Sequence, residues 1–209
     1  MLLGKKWIEP CMKQEKKQKI DFFNILCYNK IKKEIKMLNQ TERRSKEKIL
    51  NLEVYTDGSL KKIGKTMTFG GWSFIVTKDN QKIYETAGSE YGTTNQRMEL
   101  IAIREALKYA SSIRETNEKV VIYSDSAYAI NCYLQEWYVN WLANGWRNSK
   151  KEPVANQDLW LDIIPYFDNF WYNFKKVDGH SGIYWNEECD KLAQDCAEQL
   201  RINWRGKNE

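Results

Sequence analysis

Apolar residues recur along this chain with two different periods, and the switch from one to the other marks where a compact body begins. Ile20, Phe23, Cys27, Ile31, Ile35 and Leu38 are spaced by three and four. That spacing places them on one helical face opposite a Lys-rich face, and predicts an amphipathic helix near 20–38. Residues 1–19 are polar and Lys-rich and predict disorder, and 39–50 read as a charged linker. The body starts near Asn51. Leu52 to Thr56 reads as a strand, Phe69 to Thr77 as a second and Ile83 to Ala87 as a third. Gly70 and Gly71 in the second strand suggest a bulge or a close approach. Thr93, Thr94 and Asn95 supply capping side chains for a long helix reaching about Ala110. Val120 to Ser124 is a short apolar run of the kind buried on both faces of a sheet. Helical stretches follow over 126–134, 137–143 and 157–167, then a strand from Phe170 to Val177 and a helix from Trp185 to about Ile202. Three strands followed by alternating helices and strands predict an α/β domain, a mixed sheet flanked by helices.

Composition adds limits to this picture. The 209 residues suffice for one domain, 51–209, with an extension, 1–50. Nine Trp and twelve Tyr can fill a sizeable core, and only three Pro and eleven Gly argue against low complexity. No apolar run approaches the length of a membrane span, and the N-terminus has no apolar signal region. Cys11, Cys27, Cys132, Cys189 and Cys196 are odd in number and form no CxxC pair. They read as reduced thiols, which places the protein in a reducing compartment, cytoplasm or nucleus. Charge is divided unevenly. Residues 1–50 carry 14 Lys and Arg against 6 Asp and Glu, which leaves 19 against 22 of the total 33 and 28 to the body, so the net +5 comes from the extension. An acidic body that handles a polyanion needs cations, and a basic arm can help to hold the strand.

Four acids stand in apolar surroundings, where an unpartnered carboxylate costs several kcal/mol. Asp57 ends Leu-Glu-Val-Tyr-Thr-Asp, Glu99 lies in Asn-Gln-Arg-Met-Glu-Leu, Asp125 closes Val-Val-Ile-Tyr-Ser-Asp, and Asp190 closes Asn-Glu-Glu-Cys-Asp. Each has an ordinary alternative. Asp57, between strand and turn, can be a turn former. Asp125, between strand and helix, can be an N-cap. Glu99 shares a helix side with Ile103, Ala106 and Ala110, and can be buried as an ion pair with Arg97 or Arg104. Asp190, over Ala193 and Ala197, can be a surface acid. Taken together, four such acids in separate elements point to one shared solution, a cluster of hard divalent cations.

The ordered set Asp57-Gly-Ser, Thr93-Thr-Asn-Gln-Arg-Met-Glu99, Ser124-Asp125-Ser and Gly179-His-Ser-Gly…Asn186-Glu-Glu-Cys-Asp190 resembles type 1 ribonuclease H over about residues 51–203. The segment Trp137…Trp141…Gly145-Trp146…Pro153…Asn156…Asp158-Leu-Trp160 resembles that family's handle loop. The resemblance implies the ribonuclease H-like fold, a five-stranded mixed sheet with helices on both sides. It implies hydrolysis of the RNA strand of RNA–DNA hybrids with two Mg²⁺ ions, Mn²⁺ being a substitute. It assigns the metal-ligand roles to Asp57, Glu99, Asp125 and Asp190, and to His180 assistance in proton transfer or product release. Glu187 is a further acid that could approach the metals. Asn95 and Gln96 would read the minor groove near the RNA–DNA boundary, and the Gly58 and Ser59 backbone would meet 2′-hydroxyls. Thr94 and Asn156 match a pocket for a DNA phosphate, and Tyr128, Trp137 and Trp141 a channel for the DNA sugars. Core packing is the alternative for Trp141.

Two departures from the family pattern remove charge. Gly92 stands where relatives often carry Arg, and Leu142-Ala143-Asn144 is neutral where the handle is usually basic, leaving Arg147, Lys150 and Lys151. The basic extension is expected to replace part of that grip, with a nucleic acid or a protein as its partner, and the catalytic domain is expected to be monomeric. Two other functions stay open on the sequence: a DNA-directed nuclease of the same fold, and a non-catalytic hybrid-binding module.

Overall fold

A computed structural model describes residues 51–208. The amphipathic helix expected over 20–38, the rest of the extension, Cys11 and Cys27 lie outside them. Five strands form one sheet in the order β3-β2-β1-β4-β5. They are β1 (Asn51–Ile63), β2 (Met67–Lys78), β3 (Gln81–Tyr91), β4 (Lys119–Ser124) and β5 (Tyr172–Lys176). The first three pair antiparallel, while β4 runs parallel to β1 and β5 parallel to β4. The expected mixed sheet is therefore present.

Alternation along β1 sorts the side chains onto two faces. Leu52 and Val54 join Phe74, Val76, Val120 and Ile122 on one face. There they meet Met98, Ile103 and Leu107 of α1 (Asn95–Ile113) and Leu159, Trp160 and Ile163 of α4 (Gln157–Phe167). Tyr55 and Ile75 point to the other face and pack on Cys189 and Leu192 of α5 (Tyr184–Asn208). Two short helices, α2 (Ala127–Leu134) and α3 (Trp137–Ala143), carry Ile130, Tyr138 and Trp141 into the first core. Among the described residues no helix is long and apolar enough to cross a membrane.

Several boundaries differ from the sequence reading: β3 is longer at both ends than Ile83 to Ala87, α1 reaches Ile113, and three further differences follow. First, β1 continues past Asp57 to Ile63, because the ladder with β2 runs on through Ile63↔Met67. The turn falls at Gly64, which has a φ of 61°. Asp57 is consequently a mid-strand residue opposite Ser73, not a turn former. Second, the last strand opens at Tyr172 rather than Phe170, since the Asn169 side chain accepts from Trp171 N at 3.0 Å and makes a turn there. Third, α5 runs on to Asn208.

Two glycines let helices lie directly on the sheet. A Cβ on Gly58 would sit 2.4 Å from Glu99 N, and one on Gly71 would sit 2.0 Å from Ala193 O. Backbone, not a pliable side chain, would have to move in both cases. Gly58→Ala is therefore expected to push the first turns of α1 off β1 and to cost about 2–4 kcal/mol. An unchanged urea midpoint would refute this.

Candidate active site

The sheet and α1 bring three of the four acids to one point. Thr56 and Ser124 are level in the parallel β1–β4 pair, so Asp57 and Asp125 follow them at the same end of the sheet. The close approach at Gly58 sets Glu99 of α1 beside them. Asp57, Glu99 and Asp125 each offer a carboxylate oxygen within 4.8 Å of the others. Asp190 faces the group from α5, close enough to raise the pKa of Asp57, Glu99 and Asp125. Its Oδ1 accepts from Gln194 Nε2 at 2.7 Å, and its Oδ2 lies 3.9 Å from His180 Nδ1.

The ordinary alternatives for Asp125 and Glu99 do not hold. The N-cap of α2 is Ser126, whose side chain accepts from Ala129 N, so Asp125 is free of that duty. Arg97 pairs with Asp158 and Glu90, and Arg104 with Glu105, so neither neutralises Glu99. Glu99 is 8% exposed and Asp57 5%. Burial, then Asp125 and Asp190, pushes the Asp57 carboxyl up to about 8. Burial, then Asp57 and Asp125, holds Glu99 well above the usual carboxylate range, and burial raises Asp125 as well.

Glu99 has one satisfied oxygen, Oε1, which accepts from Asn95 Nδ2 at 3.2 Å. Its Oε2 is buried with no hydrogen-bond partner. A buried, partnerless carboxylate oxygen among other carboxylates is a group that a bound cation would satisfy. The donor set is all oxygen, which suits a hard ion such as Mg²⁺ rather than a thiolate- or imidazole-seeking metal. Cys189 is buried nearby, but its thiol contacts Ser73 Oγ at 2.9 Å, and burial raises its pKa.

His180 is 83% exposed at its side chain, on a loop where its own φ is 54°. Three neighbours of this loop were not evident from the sequence. A Cβ on Gly179 would lie 3.0 Å from Asp125 Oδ2, so the glycine lets the loop backbone come in against that acid. Gln194 holds Asp190. Glu187, considered above as a metal approach, instead accepts from Gly182 N at 2.9 Å and ties the loop to the start of α5. Only the spacing of Gln194, one turn after Asp190, could have signalled its contact.

The expected nucleic-acid residues are distributed around the cluster with different availabilities. Gly58 is buried and its N–H donates to Asp57 Oδ1 at 2.6 Å, so that amide is not offered to a 2′-hydroxyl. Ser59, half-buried, follows it along β1. Thr94 is the N-cap of α1 and accepts from Arg97 N. Asn156 caps α4 with a φ of 57°, and its Oδ1 accepts from Arg97 Nη1 at 3.4 Å. A cavity of about 870 Å³ is lined by Gln96, Tyr128, Trp137, Asn140, Arg147 and Val154, among others. Trp141 reaches it only as floor: it is 6% exposed and packs edge-on against Trp160 at 5.4 Å. Core packing therefore holds for Trp141, while Tyr128 and Trp137 remain half-buried on the wall.

Comparison with known proteins places the fold in a family. Residues 50–198 match the RNase H family model. The Ribonuclease H of Syntrophomonas wolfei is 47% identical over 148 residues, covering 70% of this chain and 96% of that protein. The Ribonuclease H of Acetivibrio thermocellus is 41% identical over 144 residues, covering 69% and 92%. Among solved structures, LC9-RNase H1, a type 1 RNase H with the type 2 active-site motif, superposes with a TM-score of 0.61 at 26% identity, covering 74% of this chain and 75% of that one. The chain therefore belongs to the ribonuclease H family, whose activity is hydrolysis of the RNA strand of RNA–DNA hybrids.

Proposed function

We propose that this chain cuts the RNA strand of RNA–DNA hybrids internally, leaving 5′-phosphate and 3′-hydroxyl ends. Asp57, Glu99, Asp125 and Asp190 would hold two divalent cations, Mg²⁺ first and Mn²⁺ as a substitute. The carrying observation is the convergence of Asp57, Glu99 and Asp125 around the partnerless Glu99 Oε2. When bound, such ions lower the pKa of an attacking water and offset charge on the phosphate and the leaving 3′-oxygen.

The chain's own residues supply position and proton transfer. Asn95 spends its Nδ2 on Glu99, which leaves its side-chain oxygen to accept from a 2′-hydroxyl. Deoxyribose has no such donor, so this acceptor favours RNA at the cleaved strand. Gln96 and the half-buried Tyr128 and Trp137 offer amide and aromatic surface to the partner strand along the cavity. His180, exposed beside Asp190, can take or give a proton at its ring nitrogen without being buried in the cluster. His180→Ala is expected to lower kcat by about 10- to 100-fold with little change in KM. A larger rise in KM than fall in kcat would assign it to binding instead.

The free thiols Cys132, Cys189 and Cys196 support a reducing location, cytoplasm or nucleus. The Lys-rich extension supports the same polyanionic partner. The deciding experiment offers the full chain labelled RNA–DNA hybrid, RNA duplex and DNA duplex in Mg²⁺, with EDTA and Asp125→Asn as controls. Cleavage of RNA in the hybrid alone, lost in both controls, is the expected result. Cleavage of the DNA duplex, or hybrid cleavage surviving Asp125→Asn, would sink the reading.

A further inference from the structure

The far end of α5 carries a basic, aromatic surface that the reaction does not use. Lys61, Phe69 and Tyr91 lie in one row across β1, β2 and β3, each in register with the next. Neighbouring positions in such a row share a sheet face about 5 Å apart. Trp204 of α5 packs over the row, with ring centroids 5.8 Å from Phe69 and 6.3 Å from Tyr91. The Trp204 and Tyr91 rings are nearly parallel, at 10°. Phe69 is wholly buried beneath them, yet Tyr91 is 51% exposed. An aromatic pair seated on a buried ring, with much of one ring left open, is a stacking platform rather than core.

Cations surround it. Arg201 donates to Glu198 at 2.8 Å and offsets that acid. Lys61 and Arg205 also act on Glu198 and, after the Arg201 bond, help to hold its carboxyl below the usual range. Lys207 is exposed in the same last turn of α5 as Arg205. The nearby acid Glu90 is engaged by Arg97 at 3.2 Å. With Glu198 offset by Arg201 and Glu90 by Arg97, Lys61 and Lys207 add positive charge here, at the opposite end of α5 from the acid cluster.

The surface is continuous with the active site. At 100° per residue, Asp190, Gln194, Glu198, Arg201 and Arg205 fall on one stripe of α5. Arg205 lies about 22 Å from Asp190 along the helix at 1.5 Å per residue. Lys61 lies about 13 Å from Asp57 along β1. Those distances correspond to about four to seven base pairs of duplex at roughly 3.4 Å each.

We propose that Lys61, Tyr91, Trp204, Arg205 and Lys207 form an accessory docking surface for the flank of the hybrid, outside the base pairs at the cleavage site. It deepens the hybrid-nuclease reading and rests on it. Charge complementarity selects a polyanion, and continuity along β1 and α5 selects the same molecule that occupies the acid cluster. The surface also supplies cations that Gly92 and the neutral Leu142-Ala143-Asn144 do not.

The test compares two hybrids in the full chain. One ends about two base pairs beyond the cleavage site on each side, short of Lys61, and the other about twelve. Lys61→Glu/Arg205→Glu is expected to weaken binding of the long hybrid about tenfold near 0.1 M salt, and to reduce its salt slope by about two. Tyr91→Ala is expected to weaken it about fivefold, as loss of one stacked ring does. Binding and kcat on the short hybrid should stay at wild-type values; the thermal midpoint should hold in the charge variant and fall in Tyr91→Ala, which uncovers part of Phe69. Equal losses on both hybrids, or no loss on either, would overturn the proposal. Wild-type chain that cuts neither hybrid yet still shows the length-dependent loss of binding would overturn the nuclease reading and leave the docking surface standing.

Discussion

Glu99→Gln should cut hybrid cleavage by at least about a thousandfold without loosening the metal-free fold. The substitution keeps the side chain's shape, and its amide oxygen can still accept from Asn95 Nδ2, the bond that Glu99 Oε1 makes at 3.2 Å. The new NH₂ replaces Oε2, the buried oxygen with no partner. There it can donate to Asp57 or Asp125, whose oxygens lie within 4.8 Å. Where the cluster is ionised the variant has one repelling charge fewer, and its donor is present at every pH. In EDTA the urea midpoint should stay level or rise. In Mg²⁺ the variant should lose both turnover and the stabilisation that the cation gives the wild type. Calorimetric Mg²⁺ titration separates the two effects. Retention of more than about a tenth of wild-type kcat would remove Glu99 from the reacting group. A large fall in the EDTA midpoint would recast it as a structural acid.

Much of this site could be read from the chain because it lies where local pattern is strongest. The β4 run leads directly into Asp125, and the face shared by Glu99, Ile103 and Ala106 follows directly from helical spacing. What escaped the sequence depends on contacts between elements distant in sequence. Nothing within Thr-Asp-Gly-Ser tells that β1 runs on to Ile63, because that is decided by the ladder with β2. Nothing in Asn-Glu-Glu-Cys-Asp tells that Glu187 turns back to Gly182 rather than toward Asp190. Trp137 and Trp141 lie four apart and share a helical side, yet Trp141 is held by Trp160 and Trp146 while Trp137 stays on the cavity wall. The ion pairs of Arg97 with Glu90 and Asp158, which leave Glu99 without a cation, join three segments. Periodicity places a residue on a face, but only tertiary packing decides what that face meets.

The same burial that prepares the cluster for cations should make the metal-free protein lose stability as pH rises. Burial, and then Asp125 and Asp190, pushes the Asp57 carboxyl from its ordinary value of 3.8 up to about 8 in the fold. Glu99 is shifted in the same direction. Between those limits the folded chain retains a proton that the unfolded chain has released. Unfolding free energy must then fall as pH increases, by at most about 1.4 kcal/mol per pH unit for each such group. In EDTA, denaturation midpoints should decline steadily from pH 5 to about pH 8 and level off above it. Mg²⁺ competes with these protons, so its affinity should rise with pH, by up to about tenfold per unit for each proton displaced. At pH 8 saturating Mg²⁺ should recover most of the lost stability. Asp57→Asn removes the charge that burial penalises. It should flatten the EDTA curve, raise stability at pH 8 by about 1–3 kcal/mol, and abolish both the Mg²⁺ response and cleavage. A wild-type EDTA curve that climbs between pH 5 and pH 8 would show that these carboxyls are ionised in the metal-free fold, with the Gly58 and Asn95 donors outweighing burial, and would overturn this account.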